Sequence, residues 1–264
     1  MKRLEGRAAI VVGAGSSAPG WGNGKAVAVS YARHGARVVC VDRNPDAAAE
    51  TAEIIRSEGG TAVAHVADVT SAAPVIAVVD ACLSAFGAID ILHNNVGITR
   101  DGGPVELDEA DWDMICNVNL KSFFLTSKYV LPVMERQRRG VITNVSSVAS
   151  VRTPKAISLV AYSVTKAGVN ALTQAVAQQY AAKGIRCNAI LPGLIETPMI
   201  AGLSEAYSSG DHARMIEMRN AACPSGRMGT AWDVANAAVF LASDESSYVN
   251  GHLLVVDGGL INAV

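Results

Sequence analysis

Seven short apolar runs recur along the chain, and each is followed by a stretch with helical character. They read AAIVV (8–12), RVVCVD (37–42), TAVAHV (61–66), IDILHN (89–94), VITNV (141–145), RCNAIL (186–191) and LLVVD (253–257). Their apolar residues run on continuously, with little alternation, as in strands covered on both faces. Strands that alternate with helices join through crossovers and build a doubly wound sheet. The expected fold is therefore α/β, a single Rossmann-type domain over residues 1–264 whose seven-stranded parallel sheet is flanked by helices.

The intervening segments carry readable helix signals. In NPDAAAETAEIIRSEGG, Asn44 is placed to cap a helix, Pro45 takes its first position and Gly59 ends it. Residues 108–134 read as one long helical region, bent near Pro132. Residues 198–228 are polar, contain glycine and methionine, and hold no strand. Ligands of such folds bind at the carboxyl ends of the strands, so this segment is the expected substrate lid.

Composition narrows the function. A formal net charge of −2 gives no footprint for nucleic acid, and the RQRR run at 136–139 reads as a solvated helix end. The five cysteines are scattered and form no C-x-x-C, which fits buried thiols and neither disulfides nor a metal site. No apolar run approaches the ~18 residues of a membrane span, nor the length of a signal core. The expected location is cytoplasmic.

The first strand runs into GAGSSAPGWGNGKA, residues 13–26, for which two registers compete. In the first, Gly13-x-Gly15-x-x-Ala18 is the dinucleotide fingerprint. It would run a helix through Pro19, Gly20, Gly22 and Gly24, at ~1 kcal/mol per glycine and more for proline. In the second, the loop extends to Trp21 and the helix starts near Asn23. Gly13 then makes the turn, and Gly22 and Gly24 let a pyrophosphate approach the helix N-terminus. The second register is adopted. Asp42 follows Gly22 by 20 residues and ends the second strand, where a carboxylate accepts hydrogen bonds from a ribose and repels a 2′-phosphate. NAD is accordingly favoured over NADP, with Arg43 beside Asp42 as the feature that could pair with a phosphate.

Further along, YSVTK places Tyr162 and Lys166 four apart, on one face of a helix. A phenol near pKa 10 is a poor base at neutral pH unless a cation stands beside it, and Lys166 supplies one. Either Ser146 or Ser147 could stand nearby, and alternation in VITNVSS does not choose between them.

Taken together, these stretches resemble the short-chain dehydrogenase/reductase family. The motifs are Gly13…Gly22-Asn23-Gly24, Ala67-Asp68-Val69, Asn94-Asn95-Val96-Gly97, Asn119 in VNL, Ser146-Ser147, Tyr162…Lys166, PGLIETPM from Pro192, and NGHLLVVDGG. The resemblance covers essentially the whole chain, in the right order. It implies Tyr162 as general acid–base, Ser147 orienting the substrate oxygen, and Lys166 also binding the nicotinamide ribose. It implies Asn119 holding a water that links Lys166 to solvent. Cofactor contacts are implied for Asp68, Val69, Asn94, Asn95, Gly97, Pro192, Gly193, Ile195 and Thr197. A homotetramer or homodimer follows from the same resemblance. His93 reads as a packed core histidine.

Three departures from the family pattern stand out. Val12 replaces the threonine before Gly13, nine positions rather than four separate Gly13 from Gly22, and Ser147 and Tyr162 lie 15 apart, two more than the family spacing. A longer glycine loop also resembles the related enoyl reductases, whose pair is Y-x6-K, but position 169 is Val. The resulting expectation is an NAD-dependent oxidoreductase acting on a small-molecule secondary alcohol or ketone. The alternatives are an NADPH-dependent 3-oxoacyl reductase and, from another class, a redox-sensing module without catalysis. Val148, Val151, Ile157, Met199, Leu203 and Met215 are the expected pocket wall, which suggests a largely apolar substrate.

Overall fold

The computed structural model describes residues 2–153, 157–203, 208 and 210–263. The chain runs β1 (Ala8–Val12), α1 (Asn23–Arg33), β2 (Arg37–Asp42), α2 (Pro45–Ser57), β3 (Thr61–Val66), α3 (Ala72–Phe86) and β4 (Ile91–Asn94). It continues through α4 (Glu109–Cys116), α5 (Ser122–Gln137), β5 (Gly140–Val145), α6 (Val160–Tyr180) and β6 (Ile185–Pro192). The short strands β7 (Ile195–Glu196) and β8 (Gly229–Thr230) enclose α7 (His212–Ala222), and α8 (Ala231–Ala242) and β9 (Leu253–Val256) follow.

All seven expected runs enter one parallel sheet, in the order β3-β2-β1-β4-β5-β6-β9. The chain winds outward from β1 to β3, then returns to build the other half from β4. The strand order therefore reverses between β1 and β4, the place where such sheets open a crevice beyond their carboxyl ends.

The apolar runs are continuous because the sheet is covered twice. Ala9 and Val11 of β1, with Val38 and Cys40 of β2, pack into a cluster with α1 and α8. Ala8, Ile10 and Val12, with Val39 and Val41, pack into a second cluster with α3, α5 and α6. The edge strand β3 is the exception, leaving Val66 exposed. His93 is fully buried, edge-on to Tyr31, and burial pushes its pKa down to about 3, as a neutral core residue requires.

Asn44 caps α2, its Oδ1 accepting from the Asp46 and Ala47 N–H groups with Pro45 next in line. The long helical region differs from expectation in one respect. Its hydrogen-bonding irregularity is a π turn at Asn117–Lys121 between α4 and α5, while Pro132 lies inside α5. The π turn coincides with a side-chain tether from Asn119, described below, that no local propensity encodes.

Cys40, Cys82, Cys187 and Cys223 are buried free thiols, and Cys116 is partly exposed. Burial raises the first three to about 12. Among the described residues, no helix is long and apolar enough to cross a membrane.

Candidate active site

The residues that follow β1, β2, β3, β4, β5 and β6 wall a cleft of about 1290 Å³, which the lid segment also lines. That exceeds the ~300–1,000 Å³ of a site for one drug-sized ligand, so there is room for a dinucleotide and a second small molecule.

At one end, α1 starts at Asn23 with Gly22 as its N-cap, the longer of the two registers. No side chain caps this helix start and no acidic residue stands in its first turn, so its first N–H groups and dipole favour an anion. Gly13 turns off β1 at φ +77° and lines the cleft with Gly22 and Asn23. Gly24 has a different task from the expected one. A Cβ there would lie 1.9 Å from the Gly13 carbonyl oxygen, so this glycine seats α1 against the β1 turn and faces protein. Gly15, set aside with the rejected register, does line the cleft. Its N–H donates to Asp42 Oδ2 at 3.0 Å, and a Cβ would strike Ala47.

The inserted part of the loop faces two ways. Ser16 and Ser17 line the cleft, whereas a Cβ at Gly20 would touch Pro198, and Trp21 packs on Trp232 with centroids 4.6 Å apart. Lys25 Nζ lies 5.2 Å from the Trp21 ring centre and pairs with Glu50 at 2.6 Å.

Asp42 is held at the end of β2, its other oxygen accepting from the Asn44 N–H. Arg43, Asp68 and Val69 line the same end. Hydrogen bonds from the Thr70 backbone and hydroxyl hold the Asp68 carboxyl below its ordinary range, and Arg43 adds to this. Asn95 lines the cleft and donates to the Gly13 carbonyl at 3.1 Å. Asn94 does not reach the cleft. Its amide donates to Asn144 Oδ1 at 2.9 Å and its oxygen accepts from Thr126, within a buried polar ladder that Asn144 extends to Thr173.

At the other end, Tyr162 and Lys166 stand one turn apart on α6, with Lys166 Nζ 5.7 Å from the phenol ring centre. Lys166 is 2% exposed, donates to the Val145 carbonyl at 2.8 Å and sits over the Phe123 ring. Burial pushes its pKa down to about 7. Burial pushes the half-buried Tyr162 phenol up, against a hydrogen bond with Ser147 that draws it down. The two serines separate cleanly. Ser146 donates to the Lys166 carbonyl at 2.9 Å, whereas Ser147 pairs with the phenol and accepts from the Ala149 N–H.

Asn119 lies behind the wall. Its Oδ1 accepts from the Ile98 N–H at 2.8 Å, and its Nδ2 donates to the Ile98 carbonyl at 2.8 Å and to Thr165 at 3.4 Å. This two-point tether positions the segment after β4. Gly97, in that segment, lines the cleft, and a Cβ there would sit 3.4 Å from Lys166 Nζ.

Pro192, Gly193, Ile195 and Thr197 line the cleft beyond β6. Pairing of β7 with β8 brings the two ends of the expected lid together, and Ile200, Met215, Cys223 and Met228 give the lid its own small core. Met215 is thus core and not pocket wall, and Val151 is exposed to solvent. Val148, Ile157 and Met199 do line the cleft, while the Leu203 side chain lies outside the described residues. The sequence reading missed Met114 on α4, Met218 and Arg219 on α7 and Arg152 after β5, because which residues of these segments face the wall depends on how they pack against the rest of the chain. Among the described residues, no group of His, Cys, Asp and Glu is arranged to hold a metal ion.

Comparison with known proteins gives consistent matches over the whole length. A family model described as Enoyl-(Acyl carrier protein) reductase matches residues 18–261. The 3-oxoacyl-[acyl-carrier-protein] reductase FabG of Thermotoga maritima is 40% identical over 263 residues, spanning 98% of this chain and 99% of the relative. A crystal structure from Burkholderia xenovorans, assigned to the short-chain dehydrogenases/reductases, superposes with a TM-score of 0.95 at 44% identity and covers 100% of both chains. A gluconate 5-dehydrogenase from Burkholderia cenocepacia J2315, in complex with NADP and tartrate, has a TM-score of 0.89 at 36% identity and covers 99% and 98% of the two chains.

Proposed function

The chain belongs to the short-chain dehydrogenase/reductase family, and within it we propose an enzyme that interconverts a secondary alcohol and a ketone, with Tyr162 as general acid–base. The observation that carries this reading is the meeting of Tyr162, Ser147 and Lys166 at one end of a cleft whose other end suits a dinucleotide.

The residues present fit a nicotinamide dinucleotide. Ser16 Oγ and Asn23 Oδ1 are buried without a hydrogen-bond partner among the described residues, beside the uncapped start of α1, where a pyrophosphate and its ribose would supply one. Gly13, Gly15 and Gly22 keep the approach open, and Asp42 faces the adenosine side. When bound, the nicotinamide supplies the hydride donor or acceptor.

The chain's own residues handle the proton. Ser147 hydrogen-bonds the substrate oxygen and orients it beside the phenol. Tyr162 gives its proton to a developing alkoxide, or takes one from an alcohol. A protonated Lys166 stabilises the phenolate electrostatically, and its titration near neutrality lets it respond to charge in the cleft. Asn119 and the Lys166–Val145 bond fix the floor on which this exchange happens. Residues 198–228, tied at both ends, act as the substrate lid.

The reading is tested by mixing the protein with NAD or NADP and a panel of secondary alcohols while following reduced-nicotinamide absorbance. Turnover that vanishes in Tyr162→Phe supports it. A broad panel without turnover, with the variant indistinguishable, overturns it.

For the cofactor, Asp42 supports NAD, since its carboxylate disfavours a 2′-phosphate. A second reading, an NADPH-dependent 3-oxoacyl reductase, draws support from the 40% identity to FabG and from NADP in the gluconate 5-dehydrogenase structure, with Arg43 at hand here. Asp42→Ala is expected to narrow the affinity gap between NADH and NADPH by about tenfold, the size of one charge-assisted contact. Fluorescence titration with both cofactors measures it, and a strong wild-type preference for NADPH decides for the second reading. A homotetramer or homodimer is proposed from the family resemblance and a cytoplasmic location from the scattered thiols; light scattering reads the first.

A further inference from the structure

Consecutive residues at the end of β5 and just beyond it are tied to one helix, α6. Asn144 donates to Thr173 Oγ1 at 2.9 Å, the Val145 carbonyl accepts from Lys166 Nζ at 2.8 Å, and Ser146 donates to the Lys166 carbonyl at 2.9 Å. The tie from Ser147 runs through an intermediary. Its carbonyl accepts from Ser150 Oγ at 2.5 Å and from the Ser150 N–H at 3.0 Å, and Ser150 Oγ in turn accepts from Asn170 Nδ2 at 2.8 Å. Asn170 follows Tyr162 and Lys166 at intervals of four, so the three share a face of α6.

This chain of bonds has a fixed direction. A hydroxyl carries one proton, and Ser150 spends it on the Ser147 carbonyl, so toward Asn170 it can only accept. Asn170 must therefore present its NH2 group, which turns Oδ1 elsewhere, and that oxygen is buried without a hydrogen-bond partner among the described residues. Asn170 itself is 7% exposed. A buried amide with an unmet acceptor costs stability that an apolar side chain of the same size would not. What the amide supplies here is the donor at the head of the chain. Neither Asn170 nor Ser150 lines the cleft, so their influence on chemistry passes through Ser147. The segment they hold is a single 3-10 turn, Val148–Ser150, which Ser147 caps by accepting from the Ala149 N–H at 3.1 Å. So short a turn has few bonds of its own and takes its position from what it is fastened to.

Resting on the alcohol/ketone reading above, we propose that Asn170 and Ser150 are positioning residues, which hold the Ser147 hydroxyl against the Tyr162 phenol by fixing the turn that carries it. Ser147 has to meet the substrate oxygen and the phenol at once, and a displacement of about 1 Å is enough to cost ~10²-fold in rate. Helix α6 then serves as the common reference for the proton donor, its cation and the serine. Side chains placed from a helix are held more closely than those placed from a loop.

The test compares Ser150→Ala, Ser150→Thr and Asn170→Leu with the wild type, on 2-butanol and 3-hydroxybutyrate with both cofactors, and repeats the substitutions in a Ser147→Ala background. Ser150→Ala and Asn170→Leu are expected to lower kcat by about 10- to 100-fold and kcat/KM by the same factor, as for an interaction that matters in the transition state. Ser150→Thr keeps the hydroxyl and should restore most of the loss. In the Ser147→Ala background the same substitutions are expected to lower kcat no further. Wild-type kcat in Ser150→Ala, or equal losses with and without the Ser147 hydroxyl, would overturn the proposal. Asn170 is buried, so folding is checked by melting, and the partly exposed Ser150 keeps the test decisive if Asn170→Leu unfolds. If no alcohol is oxidised, NMR of the protein with 13C-labelled tyrosine decides, the Tyr162 Cζ signal being assigned by its loss in Tyr162→Phe. A shift of that signal in Ser150→Ala in the same direction as in Ser147→Ala upholds the positioning role while the alcohol/ketone reading fails; a signal unmoved in Ser150→Ala overturns the role itself.

Discussion

Tyr162→Phe is expected to lower kcat by about 10²–10⁴-fold, the range that a positioned proton donor contributes, while cofactor affinity changes far less. The substitution keeps the ring whose centre lies 5.7 Å from Lys166 Nζ and deletes the hydroxyl that the proposal assigns to proton exchange with substrate. Ser147 keeps its bond from the Ala149 N–H, so the serine turn should hold its shape. Single-turnover absorbance with fluorescence titration of the reduced cofactor separates the two effects. A variant that keeps more than about a tenth of wild-type turnover would mean that another group carries the proton.

Lys166→Met is expected to cut kcat/KM by at least about 10²-fold, because the phenol then loses the adjacent cation. The same substitution has a pH-dependent effect on stability. The native pKa is about 7, far below the ordinary lysine value, because the ammonium is buried. Below pH 7 the native state must carry that buried charge, and the full penalty applies. As pH rises from 7 toward the ordinary value, the native chain has shed the proton while the unfolded chain still binds it. Stability therefore rises across that window and the penalty fades. Its full size is on the order of several kcal/mol. Met at this position removes the penalty and also the bond to Val145, an offset that does not vary with pH. The Tm of the variant minus that of the wild type, both without cofactor, is thus expected to be more positive at pH 6 than at pH 9.5. A difference that stays flat across this range would show that Lys166 is not desolvated. Such a residue illustrates stability given up for chemistry.

Much of the fold was readable because its signals are local. Each of the seven apolar runs became a strand of the sheet, with ends moved by a residue or two, since a strand covered on both faces needs unbroken apolar character. The start of α1 at Asn23 followed from the cost of glycine and proline inside a helix. The site was less legible where a residue's role depends on what meets it from elsewhere. Gly24 looked like a ligand-facing glycine, yet the Gly13 carbonyl occupies the space beside it. Asn94 and Asn95 are adjacent and chemically identical, and the last residue of β4 turns one into a buried ladder and leaves the other in the cleft. Asn119 and its π turn answer to a backbone segment more than 20 residues earlier. Arg152 and Arg219 are 67 positions apart yet line one cleft, the segment that carries Arg219 being flanked by the paired strands β7 and β8.

The central claim is that this cleft moves a hydride between a secondary carbinol carbon and a bound nicotinamide. It is tested most directly by isotope transfer. The protein is incubated with NAD or NADP and secondary alcohols deuterated at the carbinol carbon (3-hydroxybutyrate, 2-butanol and gluconate), and the recovered cofactor is weighed by mass spectrometry. The account predicts one deuterium on the reduced nicotinamide from at least one of these alcohols with the wild type, and at least about 10²-fold less labelled cofactor in the same time with Tyr162→Phe. A protein that binds the cofactor but returns it without deuterium from every alcohol would contradict it.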